Sequence, residues 1–472
     1  MKRKLLFFAL VFSLSKLSAQ QNLGLFALNQ TVDYAKVNPA YIGDFEWALS
    51  LFPLSYQLYS NGPTYNDFFV NNEGNSVSVL LRYPTDKLKT GQENLLRAGS
   101  EIETFRFIFN KDKWSFNAHH SSKSFGILDY TGRLLEVAIR GNAPFVGQNI
   151  RLDSDFEVFS YEELGLGVAI EFDKIRVGIR PKLLFGHSVV NTRNGQLSLF
   201  TDDDIFQIAV DADVAVEIAG GEGRNRSQFN FGPLELNFSD NDNVIVQSPE
   251  LLFNINDDIF NFSSNLGWGF DIGFDWAINE KMNITASILD IGSIRWKENT
   301  RTFTANEVFE LEGISLGQLT FDGNETFTFD NLQDSFNIIQ FVETNTAFST
   351  TLPTQFYAGF SYQLTPKWKL QSTFYHTSIK RNPLFAFATS ANYQLDNRLN
   401  IGASWSIMNE DLLLLGLNAT VQLGALQFYA LTDNIIHVFN PQNGTSLNAR
   451  IGLALLFGDK SEEAVIEEPI RN

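Results

Sequence analysis

The chain has 472 residues and a formal charge of −19, from 35 lysines and arginines against 54 aspartates and glutamates, and so acidic a protein is a poor partner for nucleic acid. It has no cysteine, which excludes disulfide staples and a lipid-anchored amino terminus. Hydrophobic residues make up 44% of it, yet its mean hydropathy of −0.09 is far below that of a helical membrane protein, and its many aromatics suit a large sheet structure.

In chain order, Lys2, Arg3 and Lys4 precede an apolar run from Leu5 to Leu14 and the small-residue stretch Leu17-Ser18-Ala19, the three parts of a secretory leader over 1–19. Beyond it no run approaches the roughly 20 apolar residues of a membrane helix, so any membrane crossing is made by strands. Residues 20–45 then read as a periplasmic segment or a plug of the lumen. Residues 46–458 are expected to form the barrel, and 459–472, with five acids and two bases, an acidic tail with nothing to bury.

The decisive pattern begins at Trp268. Trp268, Phe270, Ile272, Phe274, Trp276 and Ile278 alternate with Gly269, Asp271, Gly273, Asp275 and Ala277, a strict period of two, and after Asn279-Glu280-Lys281 the alternation resumes as a hairpin. The same grammar surrounds Phe172-Asp173-Lys174, Thr365-Pro366-Lys367, Asp396-Asn397-Arg398 and Leu423-Gly424-Ala425. Such strands, apolar outward and polar inward, predict an all-β transmembrane antiparallel up-and-down β-barrel of about 14 strands with long extracellular loops. The strands fall near 46–59, 101–110, 113–121, 155–172, 174–191, 264–279, 282–295, 353–365, 367–379, 384–396, 398–408, 412–422, 425–433 and 446–458. All tight turns then lie on the periplasmic side and the long connections, near 60–100, 122–154, 192–263 and 296–352, outside. Trp114, Trp276, Trp368, Tyr362 and Tyr393 fall near the tight turns, as an aromatic girdle would. Pro53 interrupts the first strand, and Asp290 falls on the nominal lipid face, which predicts a bulge near Gly292 or a headgroup-level position.

Chemistry in the lumen is sparse. Asp271 and Asp275 share a face opposite Arg176, Arg180 and Lys182, either as a charged constriction or as a salt-bridge network that fills the barrel, the second being favoured. The five histidines have no metal-ligand spacing, and His119 and His120 point to opposite faces of a strand, so no metal is expected. Asp202-Asp203-Asp204 and Asp240-Asn241-Asp242 lack the glycine and closing glutamate of a calcium loop and read as solvated surface. Their connection carries 13 acids against 3 bases between 192 and 263, and the stretch 296–352 carries 9 against 2. No compact nucleophile, zinc or phosphate-loop motif occurs, so neither an enzyme nor a cofactor is expected.

Val37-Asn38-Pro39-Ala40-Tyr41-Ile42-Gly43 resembles the Asn-Pro-Ala box that opens long-chain fatty-acid transporter-type barrels and type IX secretion membrane proteins of Bacteroidota. The stretches from Gly267 to Asp271, Leu289 to Ile294 with Trp296-Lys297, Phe428 to Asn434, and Asn448 to Gly458 resemble a Bacteroidota outer-membrane family of unknown function. The resemblance implies a barrel in the cell outer membrane, placed there by the barrel-assembly machinery among lipid and lipopolysaccharide, with Asn38, Pro39 and Ala40 as its amino-terminal box. Two functions stay open: a transporter of small hydrophobic or amphipathic molecules, and a structural or secretion-accessory barrel that shows acidic loops to partners.

Overall fold

The computed structural model describes residues 23–64, 93–204, 207–220, 228–230, 235–238, 244–247, 262–311, 341–379, 382–396, 398–409, 411–440 and 443–459. The leader at 1–19, the Asp240-Asn241-Asp242 run and the tail from 460 lie outside them.

Fourteen antiparallel strands close a barrel. They are β1 Phe45–Ser60, β2 Glu93–Lys111, β3 Trp114–Thr131, β4 Ser154–Phe172, β5 Ile175–Thr201, β6 Asn265–Asn279, β7 Met282–Trp296, β8 Gln355–Gln363, β9 Trp368–Ile379, β10 Asn382–Asp396, β11 Leu399–Met408, β12 Asp411–Leu423, β13 Leu426–Thr432 and β14 Ser446–Asp459. Each pairs with its neighbour, and β14 returns to β1 through Trp47↔Phe457 and Tyr56↔Ala449, which leaves no free edge for lipid to meet. The period of two sets the faces. On β6, Leu266, Trp268, Ile272 and Trp276 are exposed while Gly267, Gly269, Asp271 and Gly273 are buried. At the tight-turn end an aromatic belt includes the half-exposed Trp114 and the pair Trp368 and Tyr393, with ring centroids 4.8 Å apart. Among the described residues no helix is long and apolar enough to cross a membrane.

All fourteen expected strands are present, but several are much longer than expected. β2 begins at Glu93, β3 continues to Thr131 and β5 to Thr201, so much of what read as long loop is strand. Their outer ends carry serines, asparagines and glycines that dilute the alternation, and they are held by partners distant in sequence. The outer half of β5 pairs with strand Ile208–Gly220, which pairs with Arg301–Leu311, which pairs with Val342–Thr344.

Two irregularities matter inside. β1 survives Pro53 by leaving residues 52 and 53 out of both ladders: the register shifts between Leu51 and Leu54 against β14 and is kept against β2, Phe52 takes a φ of 51°, and proline falls where the ladder needs no donor. The bulge expected near Gly292 lies at Leu289-Asp290 instead. The β6–β7 register jumps between Phe270↔Ile291 and Ile272↔Ile288, Asp290 takes a φ of 59°, and its carboxylate turns into the lumen. Aspartate tolerates the left-handed region better than most side chains, and the charge escapes the lipid.

Residues 23–44 lie within the barrel. They form two short helices, α1 Leu23–Ala27 and α2 Tyr34–Val37, then the Asn-Pro-Ala box, before the chain enters β1 at the tight-turn end. Helices this short leave most carbonyls without an internal partner. The strands supply the donors: Gln371 Nε2 to the carbonyl of Phe26 at 2.6 Å, Asn392 Nδ2 to Ala27 at 3.4 Å, Gln427 Nε2 to Gln30 at 3.3 Å and Ser287 Oγ to Val37 at 2.6 Å. The polar inward faces of β7, β9, β10 and β13 are thus complementary to a piece of backbone.

Candidate functional site

The lumen has two layers. In the middle of the barrel, inward side chains of β2 to β7 and β14 meet α2 in a buried ionic network. Arg180 donates from Nε to Asp271 at 2.7 Å, and from Nη1 and Nη2 to the carbonyls of Ala35 and Lys36 at 2.6 and 2.8 Å. Lys182 lies 2.9 Å from Asp271 and 3.6 Å from Glu163, and also bonds Asp290. The Asp290 amide donates to Asp271 at 2.7 Å, and Gln355 Nε2 donates to the Asp290 carboxylate at 2.8 Å. Across the lumen, Lys36 reaches Glu101 at 3.0 Å and Glu103 at 3.2 Å, Arg106 reaches Glu103 at 2.6 Å, Lys123 reaches Glu163 at 2.8 Å and Arg450 reaches Glu101 at 3.4 Å. Each charge faces an opposite one with almost no water, the only condition under which buried charges are tolerable.

The expected lumenal charges therefore divide. Arg180, Lys182 and Asp271 meet in the network. Arg176 and Asp275 do not: they line a polar cavity of about 300 Å³ at the tight-turn mouth, with Lys369, Asn283 and Ser361. There Arg176 donates to Glu171 at 2.7 Å and reaches the carbonyl of Ile42 at 3.5 Å, while Asp275 accepts from Asn283 at 3.0 Å. Sequence reasoning missed Glu101, Glu103, Arg106, Lys123 and Glu163, although Glu101 and Glu103, two apart, carry the same alternation signal as Asp271 and Asp275. His119 faces inward to Glu163 at 3.0 Å, and His120 faces outward beside Thr104, 2.8 Å away. The carboxylates of Asp202, Asp203 and Asp204 lie together at an exposed turn, where Asp202 accepts from the Asp204 amide at 2.9 Å.

The box locks the segment to the wall. Asn38 Oδ1 accepts from the Ala40 amide at 3.0 Å, folding the chain over Pro39, while its Nδ2 donates to the carbonyl of Phe274 on β6 at 3.3 Å. Beneath it lies the cross-strand pair Gly178 and Gly273. A Cβ on Gly178 would sit 2.2 Å from the Pro39 carbonyl oxygen, and one on Gly273 2.3 Å from Asn38 Oδ1 and 2.5 Å from the Ala40 nitrogen. Only glycine permits this approach.

Toward the long-loop end the lining turns apolar. Tyr59, Leu95, Phe125, Ile127, Phe159 and Trp296 belong to one buried cluster with Leu23, Leu25, Phe26 and Leu28 of the amino-terminal segment. Phe26 stacks on Tyr357 with ring centroids 5.1 Å apart. Leu95, Phe125, Ile127 and Trp296 fall in stretches that read from the sequence as long connections, whereas Tyr59 and Phe159 lie within expected strands.

The outer end of the segment is held by Asp433, just past β13. Its buried carboxylate accepts from Asn448 and from the Gly24 amide, and burial lifts the carboxyl to about 6, against those hydrogen bonds and Arg450. Because the folded state holds this proton more tightly than an unfolded chain does, the contact is strongest below about pH 4 and weakens as pH rises through 6, by at most about 3 kcal/mol. Asp433→Asn, which keeps the neutral shape, is expected to remove this part of the pH dependence. Denaturant stability of the two proteins between pH 4 and 8 checks it: equal slopes would show that Asp433 does not titrate there.

A closed strand barrel, greasy outside and occupied inside by its own amino-terminal segment, is a β-barrel of the outer-membrane kind. The chain belongs to the family of unknown function DUF5723, which it matches over residues 39–433. Among solved structures it is similar to the Ralstonia pickettii toluene transporter TbuX, at 9% identity and a TM-score of 0.42 over 89% of this chain and 92% of that one. It is also similar to the Pseudomonas putida toluene transporter TodX (8%, 0.42, 91% and 95%) and to a Pseudomonas aeruginosa FadL homologue (9%, 0.39, 89% and 92%). No curated protein matches the sequence.

Proposed function

We propose that the protein is a passive carrier of small hydrophobic or amphipathic molecules, resident in the cell outer membrane among phospholipid and lipopolysaccharide and inserted there by the barrel-assembly machinery. The observation that carries this reading is the apolar outer layer of the lumen packed against α1, which in this reading opens as a chamber for the solute. A barrel that needed only to be filled gains nothing from a change of lining along its axis. An apolar solute gains about 25 cal/mol for each Å² it removes from water, so aromatic walls facing the cell exterior act as a collecting site. Beneath it the ionic layer is buried and sets six cations against five carboxylates, so it offers little net charge to draw an ion. The solute advances when residues 23–44, the plug in this reading, shift on the glycine pair.

Trp296 tests the reading. It lies in the chamber wall, fully buried, with Nε1 donating to Thr350 at 2.9 Å, while Trp114, Trp268, Trp276 and Trp368 face outward. A brominated alkane is expected to quench the Trp296 contribution, isolated as the difference between the wild type and Trp296→Phe. Identical quenching of both proteins would show an inaccessible chamber and turn the assignment toward a non-transporting accessory barrel.

A further inference from the structure

The barrel is lopsided. β2 to β5 run for 19, 18, 19 and 27 residues, whereas β11 and β13 have 10 and 7. A membrane-spanning strand needs about 9 to 11 residues. β5 therefore carries its wall far outside the lipid, and β11 and β13 have nothing to spare, so their outer rim lies at the level of the lipid headgroups. The outer connections there are also brief, two residues between β9 and β10 and two between β11 and β12.

This low rim is apolar on its outside. Leu412 and Leu413, at the outer end of β12, are 67% and 62% exposed, and Leu413 continues the lipid-facing row of Leu415 and Leu417. Beside them the short helix α3, Ile435–Phe439, packs on β12 and β14 and leaves Ile436 uncovered and Phe439 84% exposed. On a water-facing surface such a patch would be unfavourable. As an extension of the lipid belt it belongs to the outer leaflet, with α3 lying in the interface. Immediately inside, Leu384, Met408, Leu414 and Leu431 belong to the apolar chamber. Leu413 and Leu414 are consecutive residues, one facing each side, so a sill one strand thick separates lipid from chamber.

We propose that this sill, from the outer ends of β10 to β13 to α3, is where transported molecules come in, and that they arrive dissolved in the outer leaflet rather than through water. The inference rests on the carrier reading above, and it names the substrate class more narrowly: apolar molecules that partition into lipid before they meet the protein. Sliding over the sill keeps an apolar molecule in apolar contact throughout, whereas approach from water over the tall acidic wall does not.

The test uses the full chain in liposomes whose bilayer holds a diazirine-bearing alkane, with glutathione outside to consume any probe that passes through water. After irradiation, labelled residues are mapped by mass spectrometry. The expected result is labelling of Met408 and Leu384 inside the chamber despite glutathione. It should fall about tenfold in the triple variant Leu412→Asn, Leu413→Asn, Phe439→Ser, while labelling of lipid-facing Leu417 and Phe428 stays constant and certifies insertion. Chamber labelling that persists in the variant would overturn the sill. Chamber labelling abolished by glutathione in the wild type would place access in water and leave the carrier reading intact. A chamber unlabelled even without glutathione would overturn the carrier reading together with this one.

Discussion

Exchanging Gly273 for leucine is expected to raise the ion conductance of the barrel by loosening its amino-terminal segment from the wall. The new Cβ would stand 2.3 Å from Asn38 Oδ1 and 2.5 Å from the Ala40 nitrogen, and the rest of the side chain would need room that the Asn-Pro-Ala turn occupies. Turning the Asn38 side chain away would not relieve it, because the Ala40 backbone nitrogen and the Pro39 ring, 2.8 Å from the new Cβ, stay in place. Overpacking of this kind costs about 1–3 kcal/mol, and at about 1.4 kcal/mol per factor of ten the displaced state gains roughly tenfold to a hundredfold in population. The strand tolerates leucine, so the barrel persists. Gly178→Leu should act alike, since its Cβ meets the Pro39 carbonyl at 2.2 Å, and the double variant should exceed either only slightly because both eject the same turn. Gly269→Ala, whose Cβ would meet Lys182 at an ordinary 3.4 Å, is the silent control. Single-channel recording reads the opening, and trypsin reads the displacement at Lys36, which is buried in the wild type. Unchanged conductance with Lys36 still protected would mean that the glycine pair does not hold the segment.

The barrel was legible in the sequence because lipid enforces one rule on every strand. Trp268, Ile272 and Trp276 face hydrocarbon whatever the lumen contains, so their alternation with Gly269, Asp271 and Gly273 survives as a plain period of two. No such rule applies above the membrane. Strand residues 122–131 and 192–201 are held by neighbours beyond the reach of local pattern, such as Glu93 opposite Thr131 and Ile150 opposite Leu199, and their composition alone reads as loop. The lumen was legible by half. Asp271 and Arg180 announced a charged interior, but which charges meet depends on the barrel's stagger and on the path of α2, neither of which is local. Arg176 and Asp275 share a face with the network residues and still fall short of it, at the mouth. Asp290 is the instructive case. Strict alternation placed it in lipid, and the energetic objection to a carboxylate there pointed to a bulge, found two residues before the glycine that seemed its natural host. The Asn-Pro-Ala box was visible as a motif. Its reason was not, because the glycines that make room for it lie about 140 and 235 residues further on.

Asp271→Ala should destabilise the folded barrel by about 3–5 kcal/mol, the range for removing one partner from a buried ionic cluster. The loss falls on three groups at once: Arg180 and Lys182 each lose a carboxylate within 3 Å, and the Asp290 amide loses its acceptor inside the bulge. Arg180 also holds the carbonyls of Ala35 and Lys36, so the damage should reach the amino-terminal segment. Removing a second charge should then restore part of what the first removal cost. In Asp271→Ala with Lys182→Met the stranded ammonium is gone, and the pair should be less destabilised than the two single changes added together, by about 1–3 kcal/mol. Asp275→Ala, at the wet mouth and bonded to Asn283, should cost under about 1 kcal/mol. Denaturant unfolding followed by the gel shift of the folded barrel measures all four proteins. The same variants separate the two meanings of a charged lumen. If Asp271 lined an ionic constriction, its removal would change ion selectivity and leave stability nearly untouched. With its carboxylate buried and bonded to two cations and a backbone amide, the reverse is expected, because a charge held this firmly serves to hold its neighbours in place.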